Sequence, residues 1–321
     1  MADGDGEFDI ISALFAPLAG EGALGLTDDA ALLRPMPGRD LVLAKDAMVE
    51  GVHYLPDMPA DMVAGKLLRS NLSDLAAMGA RPRGYLLALF RGANTDRAWL
   101  EGFAAGLARD QEIFGLSLLG GDSVSSPGGT ALSLTIIGDI EPDTALRRNG
   151  ARPGDIVCVT GTIGDAGLGL AALQGGLAIG EAADRDFLVS RHQMPEPRIA
   201  VGEGLRGMAS ACIDVSDGLL ADAGHIAETS SAGLDIDLHR LPRSGAARRL
   251  GADPLALATS GDDYELLFTL PAGREGEVRA LSARTGVAIT EIGRVVAGRR
   301  SRLLDAEGSE IVCDKTGWRH Y

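Results

Sequence analysis

Apolar runs of strand length alternate with stretches of helical spacing along most of this chain, and that alternation limits the folds open to it. Leu41 to Ala44, Gly84 to Phe90 and Ala131 to Gly138 read as strands, with helices over Ala60 to Gly79 and Ala98 to Phe114. A helix over Phe8 to Leu18 precedes them. Asp155 to Thr160, Ala211 to Asp214, Leu234 to Leu238 and Tyr264 to Leu270 continue the strand series, interleaved with helices at Ala166 to Leu173, Arg198 to Met208 and Leu219 to Thr229. The pattern predicts an α/β or α+β architecture. With 44 glycines, the chain is no simple helical bundle. Its 321 residues exceed what one core usually serves. The stretch Glu141 to Gly154, with Pro142, Pro153, two glycines and a charge cluster, is the expected boundary between domains 1–145 and 146–321.

Acidic clusters sit at element ends and turns: Thr27-Asp28-Asp29, Lys45-Asp46, Ser73-Asp74, Gly120-Gly121-Asp122-Ser123, Asp214-Val215-Ser216-Asp217-Gly218 and Gly261-Asp262-Asp263-Tyr264. Carboxylates among small residues suit hard divalent cations such as Mg²⁺, because oxygen ligands satisfy the ion and small neighbours leave room for water and phosphate. Any one cluster could equally be a turn or a helix cap. Together they point further, since the adjacent like charges Asp28-Asp29 and Asp262-Asp263 are unfavourable unless a cation or solvent screens them. On the apolar helix from Ala60, the residues Lys66, Ser70, Asn71 and Asp74 form one polar stripe, expected to face solvent or a polar site.

Other chemistries find less support. A net charge of −15, from 30 basic and 45 acidic residues, argues against nucleic acid or an anionic membrane as partner. Cys158, Cys212 and Cys313 have no CxxC spacing, and the first two lie in apolar runs, so they are expected to act as small hydrophobes. Neither a secretory leader nor a run of 18 apolar residues is found, which points to a reduced cytoplasm. There is no Walker loop, no HExxH and no ligand spacing among the histidines. Gly167-Leu168-Gly169-Leu170-Ala171-Ala172 fits the dinucleotide pattern GxGxxG/A and makes a nicotinamide-dependent dehydrogenase a rival reading. Its glycines, however, come six residues after the strand rather than at the strand tip.

In order and wording, the motifs resemble those of the thiamine-monophosphate kinases. The resemblance rests on Glu7-Phe8, Thr27-Asp28-Asp29-Ala30-Ala31, Asp46 with Val49-Glu50-Gly51-Val52-His53-Tyr54, and Asn71-Leu72-Ser73-Asp74-Leu75-Ala76-Ala77-Met78-Gly79. It continues through Gly120-Gly121-Asp122, Arg152-Pro153-Gly154-Asp155, Asp214-Val215-Ser216-Asp217-Gly218-Leu219, Gly261-Asp262-Asp263-Tyr264-Glu265-Leu266 and Gly317-Trp318. The wider superfamily, which includes aminoimidazole ribonucleotide synthetase, implies an N-terminal α/β domain that pairs strands into a barrel across a homodimer, followed by a larger α/β domain. Another ATP-dependent synthetase of that superfamily is the alternative. Selenophosphate synthetase would carry Cys or selenocysteine near its start, and the hydrogenase maturation factor would end in a reactive Cys. This chain ends Trp318-Arg319-His320-Tyr321.

The resemblance implies transfer of a phosphoryl group from ATP to thiamine monophosphate. Carried over position by position, it implies Asp28, Asp29, Asp46, Asp74, Asp122, Asp214 and Asp217 as Mg²⁺ ligands. It implies Gly121, Asp122, Arg148 and Ser216 at ATP, and His53, Asp262 and Trp318 at the acceptor. The acceptor phosphate, with a second pKa of about 6, is already mostly dianionic at neutral pH, so no catalytic acid, base or nucleophile is expected. Two departures stand out: Ala44-Lys45 replaces the usual Ser-Thr before Asp46, and Asp262 replaces a more usual Glu.

Overall fold

The computed structural model describes residues 6–313 and 316–317. The chain forms two compact units, one built up to Leu75 and from Arg81–Pro142, the other from Ala76–Ala80 and from Asp143 onward.

In the first unit a single turn, α1 (Glu7–Ile10), runs into a π-helical and a 3-10 turn, Ile11–Phe15 and Ala16–Leu18. The expected helix is therefore present but irregular, as Pro17 denies its backbone a donor. A four-stranded sheet follows in the order β1-β4-β2-β3, built from β1 (Asp40–Val49), β2 (Arg81–Arg91), β3 (Ser117–Ser125) and β4 (Ala131–Ile140). Only β2 and β3 are parallel. Their crossover is α3 (Arg97–Phe114), capped by Asp96, which accepts from the Trp99 amide, and closed by Gly115 at φ +68°. Between β1 and β2 lies α2 (Ala60–Met78). Its Val63, Leu67, Leu68, Leu72 and Leu75 are fully buried. Leu75 approaches Gly138 of β4, which puts α2 on the face formed by Leu132, Leu134 and Ile136. On the opposite face, among the described residues, Leu41, Leu43, Val49, Leu86, Phe90 and Val124 are all exposed, whereas Ile137 is buried.

Two expectations are corrected here. Asp46 lies inside β1 rather than past its end, because β1 pairs with β4 without interruption from Asp40 to Val49. Asp122 lies within a strand, although Gly120-Gly121-Asp122-Ser123 has little intrinsic preference for one. Gly121 is in register with Leu87, and a β-carbon on it would overlap the Leu87 carbonyl. The glycine is what lets β3 dock.

The second unit is a seven-stranded sheet in the order β11-β10-β7-β9-β5-β8-β6, using β5 (Ile156–Thr160), β6 (Ala211–Val215), β7 (Gly233–Asp237), β8 (Glu265–Leu270), β9 (Ile289–Val296), β10 (Ser301–Leu304) and β11 (Glu310–Ile311). Helices α4 (Asp165–Leu173), α5 (Ala182–Gln193), α6 (Ile199–Leu205), α7 (Leu219–Ser230) and α10 (Glu275–Thr285) are joined by two short turns, α8 (Gly245–Arg249) and α9 (Pro254–Ala258). Alternate strand residues feed two cores. Val157, Val159, Ile213 and Val215 join Leu219, Ala223 and Ile226 of α7 on one side, and Cys158, Cys212, Phe268 and Leu270 join Val201, Leu205 and Leu281 on the other. Cys158 and Cys212 are buried, and burial pushes the Cys158 thiol up to about 12.

The glycine pattern at 167–172 lies inside α4 and forms no strand-to-helix loop. A β-carbon on Gly169 would overlap the Leu188 carbonyl of α5, so the glycines serve helix packing, which removes the main support for a dinucleotide fold. Among the described residues, no helix is long and apolar enough to cross a membrane.

Candidate functional site

In the first unit the aspartates fall into two groups. The first lies where the edge strand β1 meets α2. The Asp46 amide donates to Asn71 Oδ1 at 3.1 Å, and Asn71 is one helical turn before Asp74. The polar stripe on α2 does not face solvent: Lys66, Ser70, Asn71 and Ser73 are all buried, and Asp74 is half-buried. Asn71 also donates to the Leu67 carbonyl at 2.8 Å, so its amide is satisfied at both ends. Burial pushes the Asp46 carboxyl above the usual carboxylate range, and the neighbouring His53 opposes this. His53 is itself held by the Val49 amide, which donates to its Nδ1 at 3.0 Å.

The second group surrounds a cavity of about 600 Å³ at the β3 edge. Its walls are apolar, including Ile11, Phe15, Leu26, Leu87 and Leu119, and Asp28, Asp29, Gly121 and Asp122 also line it. All three of these aspartates are exposed. The N-terminal segment is fixed there by the Gly20 amide, which donates to the Leu118 carbonyl at 2.9 Å. Register places the two groups apart. Asp46 pairs with Leu134 and Asp122 with Ala88, on strands at opposite edges of the sheet. Three strand spacings make that roughly 14 Å along the sheet.

In the second unit, two motifs distant in sequence are laced together. The Asp262 amide donates to the Ser216 carbonyl and the Tyr264 amide to the Val215 carbonyl, each at 2.8 Å. Asp214, at the end of β6, is buried. Gly218 begins α7 at φ +125° without a side-chain cap, so Asp217 is not the helix cap. That task falls to Asp222, whose Oδ2 accepts the amides of Ser216, Asp217 and Gly218 at 3.1 Å each. Burial, then the Asp214 and Asp217 charges, push Asp222 up to about 8. Asp217, Asp222 and His225 present ligand atoms within 4.8 Å of one another, the one such trio among the described residues.

Sequence reasoning missed Asp222 and His225; their three-residue spacing at the start of a helix was the available signal. Gly317 packs so closely on Asp217 and Ala221 that a β-carbon would come within 2.6 Å of both. Trp318 lies outside the described residues. Arg148 is exposed, with its carbonyl accepting from the Ser230 hydroxyl at 3.1 Å.

These two α/β units, each with acidic loops beside glycine, define a recognisable class. Residues 27–140 match the AIR synthase related protein, N-terminal domain, and residues 152–306 the C-terminal domain of the same family. Thiamine-monophosphate kinase of Caulobacter vibrioides is 44% identical, over 98% of this chain and 90% of that protein. The crystal structure of thiamine-monophosphate kinase from Stenotrophomonas maltophilia K279a is 38% identical with a TM-score of 0.82, covering 89% of this chain and 91% of that one. AaThiL complexed with AMPPCP and TMP is 30% identical with a TM-score of 0.78, covering 98% and 97%. The chain belongs to the thiamine-monophosphate kinase family.

Proposed function

We propose that this chain transfers the γ-phosphoryl group of ATP to thiamine monophosphate, giving thiamine diphosphate and ADP. The observation that carries this reading is the likeness, over nearly the full length of both chains, to a kinase solved with an ATP analogue and TMP. The geometry supports it. The cavity at the β3 edge offers apolar walls for a base and a carboxylate rim where cations would hold the phosphates. On this reading Gly121, Asp122, Arg148 and Ser216 contact ATP, and His53, Asp262 and Trp318 contact the acceptor.

Donor and acceptor are both anions, and two unit charges at 4 Å repel by about 4 kcal/mol at an effective dielectric near 20. The chain's own charge of −15 adds to that repulsion. The residues present fit divalent cations. The donors are oxygens, Asp28 and Asp29 stand side by side and exposed, and burial followed by the Asp214 and Asp217 charges raises the Asp222 pKa. Asp28, Asp29, Asp46, Asp74, Asp122, Asp214 and Asp217 would hold Mg²⁺, with Asp222 and His225 beside Asp217. Bound cations would supply charge neutralisation between the two phosphates. The protein's own part is positioning: the carboxylates fix where charge is held, and the apolar cavity walls exclude water. A dianionic acceptor attacks directly without a general base, and no phospho-enzyme forms.

The exposed apolar sheet face fits a second copy of the chain, with the two sheets closing into a barrel across a homodimer. The decisive experiment incubates the protein with ATP and thiamine monophosphate, with Mg²⁺ or with EDTA. Thiamine diphosphate and ADP are expected in equal amounts, only with the cation. ATP consumption without thiamine diphosphate overturns the reading, and stable labelling of the protein by γ-labelled ATP overturns direct transfer.

A further inference from the structure

The loop around Asp262 holds a backbone conformation that is uncommon outside glycine and more so for a bulky tyrosine than for an aspartate. Both Asp262 and Tyr264 have positive φ, +69° and +52°, with Asp263 between them. Non-glycine residues in that region are strained, and the surroundings must enforce it. They do so from several sides. The Asp263 side chain, 1% exposed, is drawn inward and accepts the Gly164 amide at 2.7 Å at the start of α4. Arg191 donates to the Asp263 carbonyl at 3.3 Å and to the buried Glu265 carboxylate at 2.7 Å. Arg198 and the Thr160 hydroxyl complete the Glu265 shell, with contacts of 2.6 Å each to Oε2. The network anchors the loop and leaves Asp262 half-exposed above it.

The Asp262 carboxylate is then flanked on both oxygens. His192 Nδ1 lies 3.4 Å from Oδ2, and the Tyr264 hydroxyl donates to Oδ1 at 3.4 Å. His192 is itself 3% exposed, held on α5 next to Arg191. With a group beside each oxygen, rotation of the carboxylate about its Cβ–Cγ bond is restricted.

We propose that His192 and Tyr264 are positioning residues that aim the Asp262 carboxylate at the cationic ring of the acceptor. The inference rests on the reading of Asp262 as an acceptor contact. A pre-aimed carboxylate loses less freedom on binding, so its clamps set acceptor affinity rather than phosphoryl transfer.

The test is a double-mutant cycle with thiamine monophosphate and ATP as separately varied substrates. Tyr264→Phe, which keeps the ring, and His192→Gln should each raise KM for thiamine monophosphate by about three- to tenfold. KM for ATP, kcat and the melting temperature should stay near wild type. In an Asp262→Asn background the same substitutions should change that KM by less than about twofold, since little charge remains to aim. Equal effects in both backgrounds, or a matching rise in KM for ATP, would overturn the proposal. If Asp262→Asn raises KM and the other two do not, positioning alone fails. If Asp262→Asn leaves KM unchanged, the acceptor reading fails first and positioning falls with it. Should His192→Gln not fold, Tyr264→Phe decides.

Discussion

Asp122 illustrates how much a single position can carry. It is exposed at the cavity rim, and its Oδ1 accepts the Ser123 amide at 2.9 Å, a bond that an asparagine Oδ1 makes equally well. Asp122→Asn should therefore leave the fold intact and remove charge alone. Steady-state kinetics should show turnover reduced by about 10²-fold or more, as for other electrostatic groups of a transition state, with an unchanged melting curve. Near-normal turnover would take Asp122 out of the metal set. At this scale the sequence singles out the aspartates by their small neighbours but does not show their surroundings. Lys66 and Asn71 read as one polar stripe, yet only the docking of α2 on the sheet decides that the stripe is buried. The Asn71 amide is placed there by the need of the edge-strand Asp46 amide for an acceptor.

Among the elements, the packing of α4 on α5 offers the sharpest test. Replacing Gly169 by Ala would add up to about 1 kcal/mol of helix propensity. The same methyl group would overlap backbone atoms of Leu188, and overpacking of this kind costs about 1–3 kcal/mol or more. The clash should win. Chemical denaturation should show Gly169→Ala less stable than wild type, and an equal or higher stability would mean that the helices separate freely. Strong periodicity made α2 and α3 predictable to within a residue or two. The strand β3 and the helix α5 escaped notice because one is rich in glycine and serine and the other is largely polar. Both exist through partners: β3 through parallel pairing with β2, and α5 through the close approach that Gly169 allows.

For the whole molecule, the exposed sheet face sets the expectation. Leu43 is 63% exposed, with Leu41, Leu86 and Phe90 near 40% on the same face. Light scattering on the purified chain should give twice the chain mass. Leu43→Asp, which places a charge on that face at its β1 edge, should shift the protein towards monomer without unfolding it. A wild-type monomer at micromolar concentration would remove the barrel across a dimer from the account.

Local spacing sufficed to show that strands and helices alternate and that carboxylates stand beside small residues. These properties follow from side-chain periodicity and from steric room, and both are written in neighbouring residues. Which aspartates become neighbours was decided by long-range pairing: β-register set Asp46 and Asp122 on opposite edges, and backbone bonds from residues 262 and 264 to residues 216 and 215 joined two distant segments. No local signal encodes that outcome, because a strand's partner is chosen by the burial of the whole sheet.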